Sequence, residues 1–77
     1  MEIKVQYFGQ LTEIVGKREE VLVLQDNTVM SLYHLLLKTY PFLKDRSFQF
    51  AQSNQIIGKE AILEAATVNV FPPFSGG

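Results

Sequence analysis

Polar and apolar residues alternate from the start of the chain. Ile3, Val5 and Tyr7 share one parity and Glu2, Lys4 and Gln6 the other, which predicts a strand over residues 2–8 with one buried face. Gly9 breaks the pattern, and Gln10-Leu11-Thr12-Glu13-Ile14-Val15 predicts a short helical turn closed by Gly16. Lys17 and Arg18 form an exposed turn. A second strand is expected at Glu20-Val21-Leu22-Val23-Leu24, ended by the turn formers Gln25-Asp26-Asn27. Thr28 is placed to cap the one substantial helix. In that helix Val29, Leu32, Leu36 and Tyr40 recur at the spacing of a core-facing stripe, with Leu35 beside it. Pro41 ends the helix, because the residue before a proline is pushed out of the α region. Phe42 and Leu43 are expected to fold back over its end.

Beyond the helix, Phe48, Phe50 and Gln52 alternate against Gln49, Ala51 and Ser53, which predicts a third strand. Asn54-Gln55 is read as a turn, Ile56-Ile57 as a short fourth strand ended by Gly58, and residues 59–64 as a connection with at most a helical turn. Thr67-Val68-Asn69-Val70-Phe71 predicts a fifth strand. The first and last strands are the most apolar, which predicts that they pair at the centre of the sheet. The expected fold class is α+β: a mixed five-stranded sheet packed on one main helix, the β-grasp or ubiquitin-like architecture.

Composition narrows the functions open to this chain. Its 77 residues form one expected domain, 1–77, and 47% of them are hydrophobic against 19% charged, which excludes a disordered chain. A domain this short buries only about 60% of the surface its unfolded chain exposes, so its core is expected to be marginal alone. The formal net charge of -1 lacks the basic excess that nucleic-acid binding requires. No apolar run approaches a membrane span, and the N-terminus lacks the basic start and apolar run of a signal peptide, so no membrane and a cytoplasmic location are expected. There is no cysteine, so no side chain here can carry sulfur as a thiol or persulfide. No metal-ligand spacing and no glycine-rich phosphate loop occurs, since Gly9 and Gly16 are isolated. His34, the one histidine, lies between Tyr33 and Leu35 and is read as structural. The chain has no self-contained active site.

What chemistry it has lies at its end, Phe71-Pro72-Pro73-Phe74-Ser75-Gly76-Gly77. Two prolines lack N–H donors and favour extended backbone, so the sheet ladder has to stop there. Gly76 and Gly77 have no side chain to obstruct a narrow passage. From Phe71 onward an extended tail reaches roughly 20 Å, enough to carry the terminal carboxyl into another protein. A carboxylate is a poor electrophile until ATP converts it to an acyl-adenylate, which sulfur or an amine then attacks. Phe71 shares a face with Asn69 and Thr67, which are read as exposed, and it and Phe74 are expected to be exposed partner contacts.

These residues resemble the small-subunit family of molybdopterin synthase, the MoaD-type sulfur carriers. The specific match is the terminus Phe71-Pro72-Pro73-Phe74-Ser75-Gly76-Gly77, similar to the family's Phe-Pro-Pro-x-Ser/Thr-Gly-Gly. The opening stretch from Val5 to Gly16 and the segment Ala51-Gln52-Ser53-Asn54-Gln55 are supportive, and the resemblance spans the whole chain. Two departures are Thr12, where a longer residue is common, and Glu64-Ala65-Ala66-Thr67, which replaces an Asp-Gly-Asp turn.

The resemblance implies a sulfur carrier with residues 72–77 as its functional tail. A ubiquitin-activating-type enzyme adenylates the Gly77 carboxyl with ATP, and a sulfur source converts it to a thiocarboxylate. Phe71, Pro72, Pro73, Phe74, Ser75 and Gly76 bind partners. The loaded tail then enters the large synthase subunit, expected in a heterotetramer of two small and two large chains, and sulfur passes to cyclic pyranopterin monophosphate to build the molybdopterin dithiolene of the molybdenum cofactor. The catalytic residues are expected on the large subunit, with no cofactor bound here. Three other readings stay open: a carrier for thiamine or cysteine synthesis, a ubiquitin-like modifier joined to lysine, and a binding module with an inert tail.

Overall fold

The computed structural model describes residues 1–73. Strand β1 (Glu2–Tyr7) is followed by a short helix α1 (Leu11–Val15), strand β2 (Glu19–Val23) and the main helix α2 (Val29–Thr39). A 3₁₀ turn over Pro41–Asp45 leads to β3 (Gln49–Gln52), β4 (Gln55–Ile57) and β5 (Thr67–Phe71). The five strands form one sheet in the order β2-β1-β5-β3-β4. β1 and β5 are its central parallel pair, with Val5 opposite Val68 and Tyr7 opposite Val70, and the other three pairings are antiparallel.

Parity makes the core. Ile3, Val5 and Tyr7 of β1, Val68 and Val70 of β5 and Phe50 of β3 turn to one face and are buried there. Val29, Leu32 and Leu36 of α2 close over them, joined by Leu11, Val15, Leu24, Leu43 and Leu63. Each fully buried aliphatic side chain contributes about 1.5–3 kcal/mol relative to exposure. The helix starts as its sequence predicts: Thr28 is extended, and its Oγ1 accepts the Ser31 N–H at 3.1 Å. Asp26 Oδ1 braces this cap by accepting from the Thr28 N–H at 3.0 Å, the Thr28 hydroxyl at 2.8 Å and the Ser31 hydroxyl at 2.6 Å.

Four expectations need correction. Tyr40 lies just past the end of α2, packed against the core but only half-buried, and donates its hydroxyl to Glu20 Oε2 at 2.7 Å. Of the pair expected to cover the helix end, only Leu43 is buried, while Phe42 is exposed with its ring 5.8 Å from that of Tyr40 at the end of α2. The β3–β4 hairpin turns at Ser53 and Asn54, with φ of 50° and 65°, and Gln52 pairs with Gln55. Two left-handed central positions give a hairpin the twist its strands need, and asparagine tolerates that region, so the turn falls one residue earlier than read. Finally, Phe50 and Ala51 are both buried despite opposite parity, because small Ala51 lies between Asn69 on β5 and Ile56 on β4.

The Glu64-Ala65-Ala66-Thr67 departure has a local support of its own. The Gln52 carboxamide donates to the Ile62 carbonyl at 2.8 Å and accepts from the Glu64 N–H at 2.9 Å and the Ala65 N–H at 3.2 Å. One side chain thus ties the whole connection to β3. The arrangement of helix and sheet is the β-grasp fold.

Candidate functional site

β5 is paired on both sides until Phe71, where prolines end its ladder. The last β1–β5 link is the Phe8 N–H to the Val70 carbonyl at 3.0 Å. Pro72, half-buried, then passes against Gly9, where φ is +59°. A Cβ at that position would stand 3.1 Å from Pro72 Cγ and 3.2 Å from Cδ. Gly9 therefore does two things: it takes the left-handed turn from β1 into α1, and it leaves room for the proline that carries the chain off the sheet. Thr12 tightens the same turn by donating its hydroxyl to the Gly9 carbonyl at 2.9 Å.

Two surfaces flank this exit. On one side a shallow groove of about 330 Å³ runs past Gln10, Leu11, Ile14, Arg46, Pro72 and Pro73. On the outer face of the sheet, Phe8, Ala51, Asn69 and Phe71 enclose an apolar hollow of about 290 Å³. Phe8 is 45% exposed there, and Phe71 is half-buried beside Gln49, its partner across the β5–β3 ladder. Thr67 and Asn69 are half-buried rather than fully exposed.

Of the sequence-predicted residues, Phe71, Pro72 and Pro73 are thus brought together at the head of β5. Phe74, Ser75, Gly76 and Gly77 lie outside the described residues. Sequence reading did not single out Phe8, Gly9 or Ala51. Phe8 had a signal: it is the large aromatic that carries the parity of Glu2, Lys4 and Gln6. Gly9 was read only as the break after the first strand; its contact with Pro72, like the place of Ala51, depends on β5 lying alongside.

The most elaborate polar cluster is structural and stands apart from the exit. Glu20 falls on the core-facing parity of β2, where Tyr7 donates to its Oε2 at 2.5 Å and Tyr40 at 2.7 Å, and Lys17 reaches its Oε1 at 3.3 Å. Burial pushes the Glu20 carboxyl up, but the hydrogen bonds from Tyr7, Tyr40 and Lys17 outweigh it and hold the group below the usual range. Burial, followed by the hydrogen bond to Glu20, pushes the Tyr7 hydroxyl far above its ordinary range. This cluster locks β1, β2 and the end of α2 together. Among the described residues no group of His, Cys, Asp or Glu could hold a metal ion, and no helix is long and apolar enough to cross a membrane.

Known proteins of this shape are close. A curated relative from Chlamydomonas reinhardtii, the molybdopterin synthase sulfur carrier subunit, is 30% identical over 83 residues and covers 100% of both chains. A structure from Pyrococcus furiosus, described as a molybdopterin converting factor subunit 1, superposes with a TM-score of 0.83 at 21% identity, covering 95% of this chain and 98% of that one. The small archaeal modifier protein 1 (SAMP1) of Haloferax volcanii superposes with a TM-score of 0.80 at 20% identity over 100% of both chains. With a match to the ThiS family over residues 5–77, the chain belongs to that family.

Proposed function

We propose that this protein is the sulfur-carrier small subunit of molybdopterin synthase and that its reactive group is the Gly77 carboxylate. The observation that carries the reading is the course of β5. A strand held on both sides runs off the sheet through Pro72 and Pro73, beside the exposed ring of Phe8, and the sequence that follows ends in Gly-Gly. The curated relative's name and its full-length coverage add the pathway.

A ubiquitin-activating-type enzyme joins the Gly77 carboxylate to the AMP of ATP and releases pyrophosphate. Hydrosulfide released by a sulfur donor attacks the acyl carbon, the bond to AMP breaks and AMP leaves, and loss of the sulfur-bound proton gives a thiocarboxylate. A thiocarboxylate is more nucleophilic than a carboxylate and stays bound until its acceptor is positioned. The loaded tail passes into the large subunit of a two-plus-two heterotetramer in the cytoplasm, where sulfur transfers to cyclic pyranopterin monophosphate. This chain binds no cofactor of its own in that scheme. The Phe8–Phe71 face and the side chains of Pro72, Pro73, Phe74 and Ser75 hold the partner, and Gly76 keeps the approach to the carboxyl narrow.

Intact mass after incubation with an activating enzyme, ATP and a sulfur source tests this. The expected product is the chain with one oxygen replaced by sulfur, and it sulfurates the pterin when the large subunit is added. Larger covalent species joined to lysine would instead identify a protein modifier, and an unchanged mass an inert tail.

A further inference from the structure

Pro72 and Pro73 form one wall of the groove of about 330 Å³ between α1 and the end of the 3₁₀ turn. Buried Leu11 and half-buried Ile14 give it an apolar stretch beside the proline rings. Gln10, Arg46 and Ser47 give it a polar one. All three are exposed, and their side chains make no hydrogen bond or ion pair with a described residue. Gln10 stands at the start of α1 without capping it by its side chain. Asp45 also lines the groove, and it pairs neither with Arg46 nor with any other described cation.

Four residues follow Pro73: Phe74, Ser75, Gly76 and Gly77. Fully extended they span about 13 Å. Their starting point is the groove wall itself, so the ring of Phe74 and the terminal carboxylate both come within range of its lining.

We infer that this groove is the seat of the chain's own tail in the free protein, with the Phe74 ring against Ile14 and the prolines and the Gly77 carboxylate on the Arg46 guanidinium. Tail and groove match in kind. One aromatic ring meets the apolar stretch, one anion meets the one cation, and small Ser75 and Gly76 join them. The hollow on the other flank of the exit suits the tail less, because Phe8, Ala51, Asn69 and Phe71 offer no cation and no residue beyond Phe71 reaches it. A segment on so short a tether meets its groove at millimolar effective concentration, so a contact with a dissociation constant of about 1 mM is half-occupied. Such a contact screens the carboxylate and still yields to a partner. The inference rests on Gly77 being the reacting group only for its consequence: the free carrier keeps that group from stray reactants until a partner draws the tail out.

Nuclear magnetic resonance of the whole chain tests this. Nuclear Overhauser contacts are expected from the Phe74 ring to the Ile14 methyls, whose ring-current shift is lost in Phe74→Ala. Arg46→Gln, at an exposed position, keeps the fold and is expected to lower the docked population roughly threefold. A chain whose Gly77 ends in a carboxamide is expected to match that variant, and Asp45→Asn to raise the population. The inference fails if the Phe74 ring contacts Phe8 or Ala51 in place of Ile14, or contacts none of them. It fails equally if mixed labelled and unlabelled chains trace the contact to a second molecule, or if Arg46→Gln and the carboxamide leave the Gly76 and Gly77 amides unmoved. Sulfur loading is read separately by mass. Loading without these contacts overturns the docking and leaves the proposed function, whereas contacts without loading do the reverse.

Discussion

The ring of Pro72 packs onto the bare Cα of Gly9, so the turn that ends the first strand also sets the direction in which the last one leaves the sheet. The two residues are 63 positions apart in numbering, and they meet because β1 and β5 are parallel neighbours. A substitution at Gly9 is therefore felt at the chain's exit.

Gly9→Ala adds a Cβ at a positive φ and presses it against Pro72. The left-handed conformation alone costs about 1–2 kcal/mol, and the contact adds to it. Gly16 also has a positive φ, 87°, but open space around it. Thermal unfolding is expected to show a larger loss for Gly9→Ala than for Gly16→Ala, and only the former is expected to slow sulfur loading. Equal losses with loading intact in both would dismiss the Pro72 contact.

Phe8→Ser strips the exposed wall of the apolar hollow without touching the core. Stability is expected to change by less than about 1 kcal/mol, while the dissociation constant for the large subunit rises roughly tenfold or more. Phe71→Ala is expected to weaken that binding more than it lowers the melting temperature. Calorimetry of the isolated chain and titration of the complex read the two effects apart.

Removal of Gly77 leaves the chain ending in the Gly76 carboxyl, one residue short of the proposed reacting position, and takes away no part of the described fold. The truncated chain is expected to melt at the same temperature as the full one and to accept no sulfur. Pterin sulfuration by the truncation would refute the proposed chemistry.

Glu20 predicts an acid-sensitive element. Its carboxyl is held below the ordinary value of 4.5, so the folded state prefers the charged form. That contribution is complete above the unfolded value and is lost as pH falls through the folded one. Glu20→Gln is expected to lower stability by about 1 kcal/mol at neutral pH. Its melting temperature should then fall less than that of the native chain between about pH 6 and pH 3. Parallel acid profiles for the two proteins would rule out the Glu20 cluster as the source.

The strands, the capped helix and the central pairing of β1 with β5 were legible because each depends on local period or on bulk hydrophobicity. Ile3, Val5 and Tyr7 announce a buried face by parity, and Thr28 announces a cap by its hydroxyl. The hairpin was displaced by one residue because Ser53 and Asn54 each tolerate the turn, and only strand register chooses between neighbouring positions. Ala51 escaped notice because an alanine carries no large signal of its own.

The terminal Phe-Pro-Pro-Phe-Ser-Gly-Gly and the absence of cysteine were written in the order and kind of residues, and they direct attention to the end of the chain before any coordinate is known. Tertiary structure decided what surrounds that end: Phe8 beside Phe71, Gly9 under Pro72, Gln52 bracing the distant loop, and a groove that Pro73 shares with Ile14 and Arg46. Covalent order specifies propensities over a few residues at a time, whereas such neighbours are chosen by strand pairing across the length of the chain.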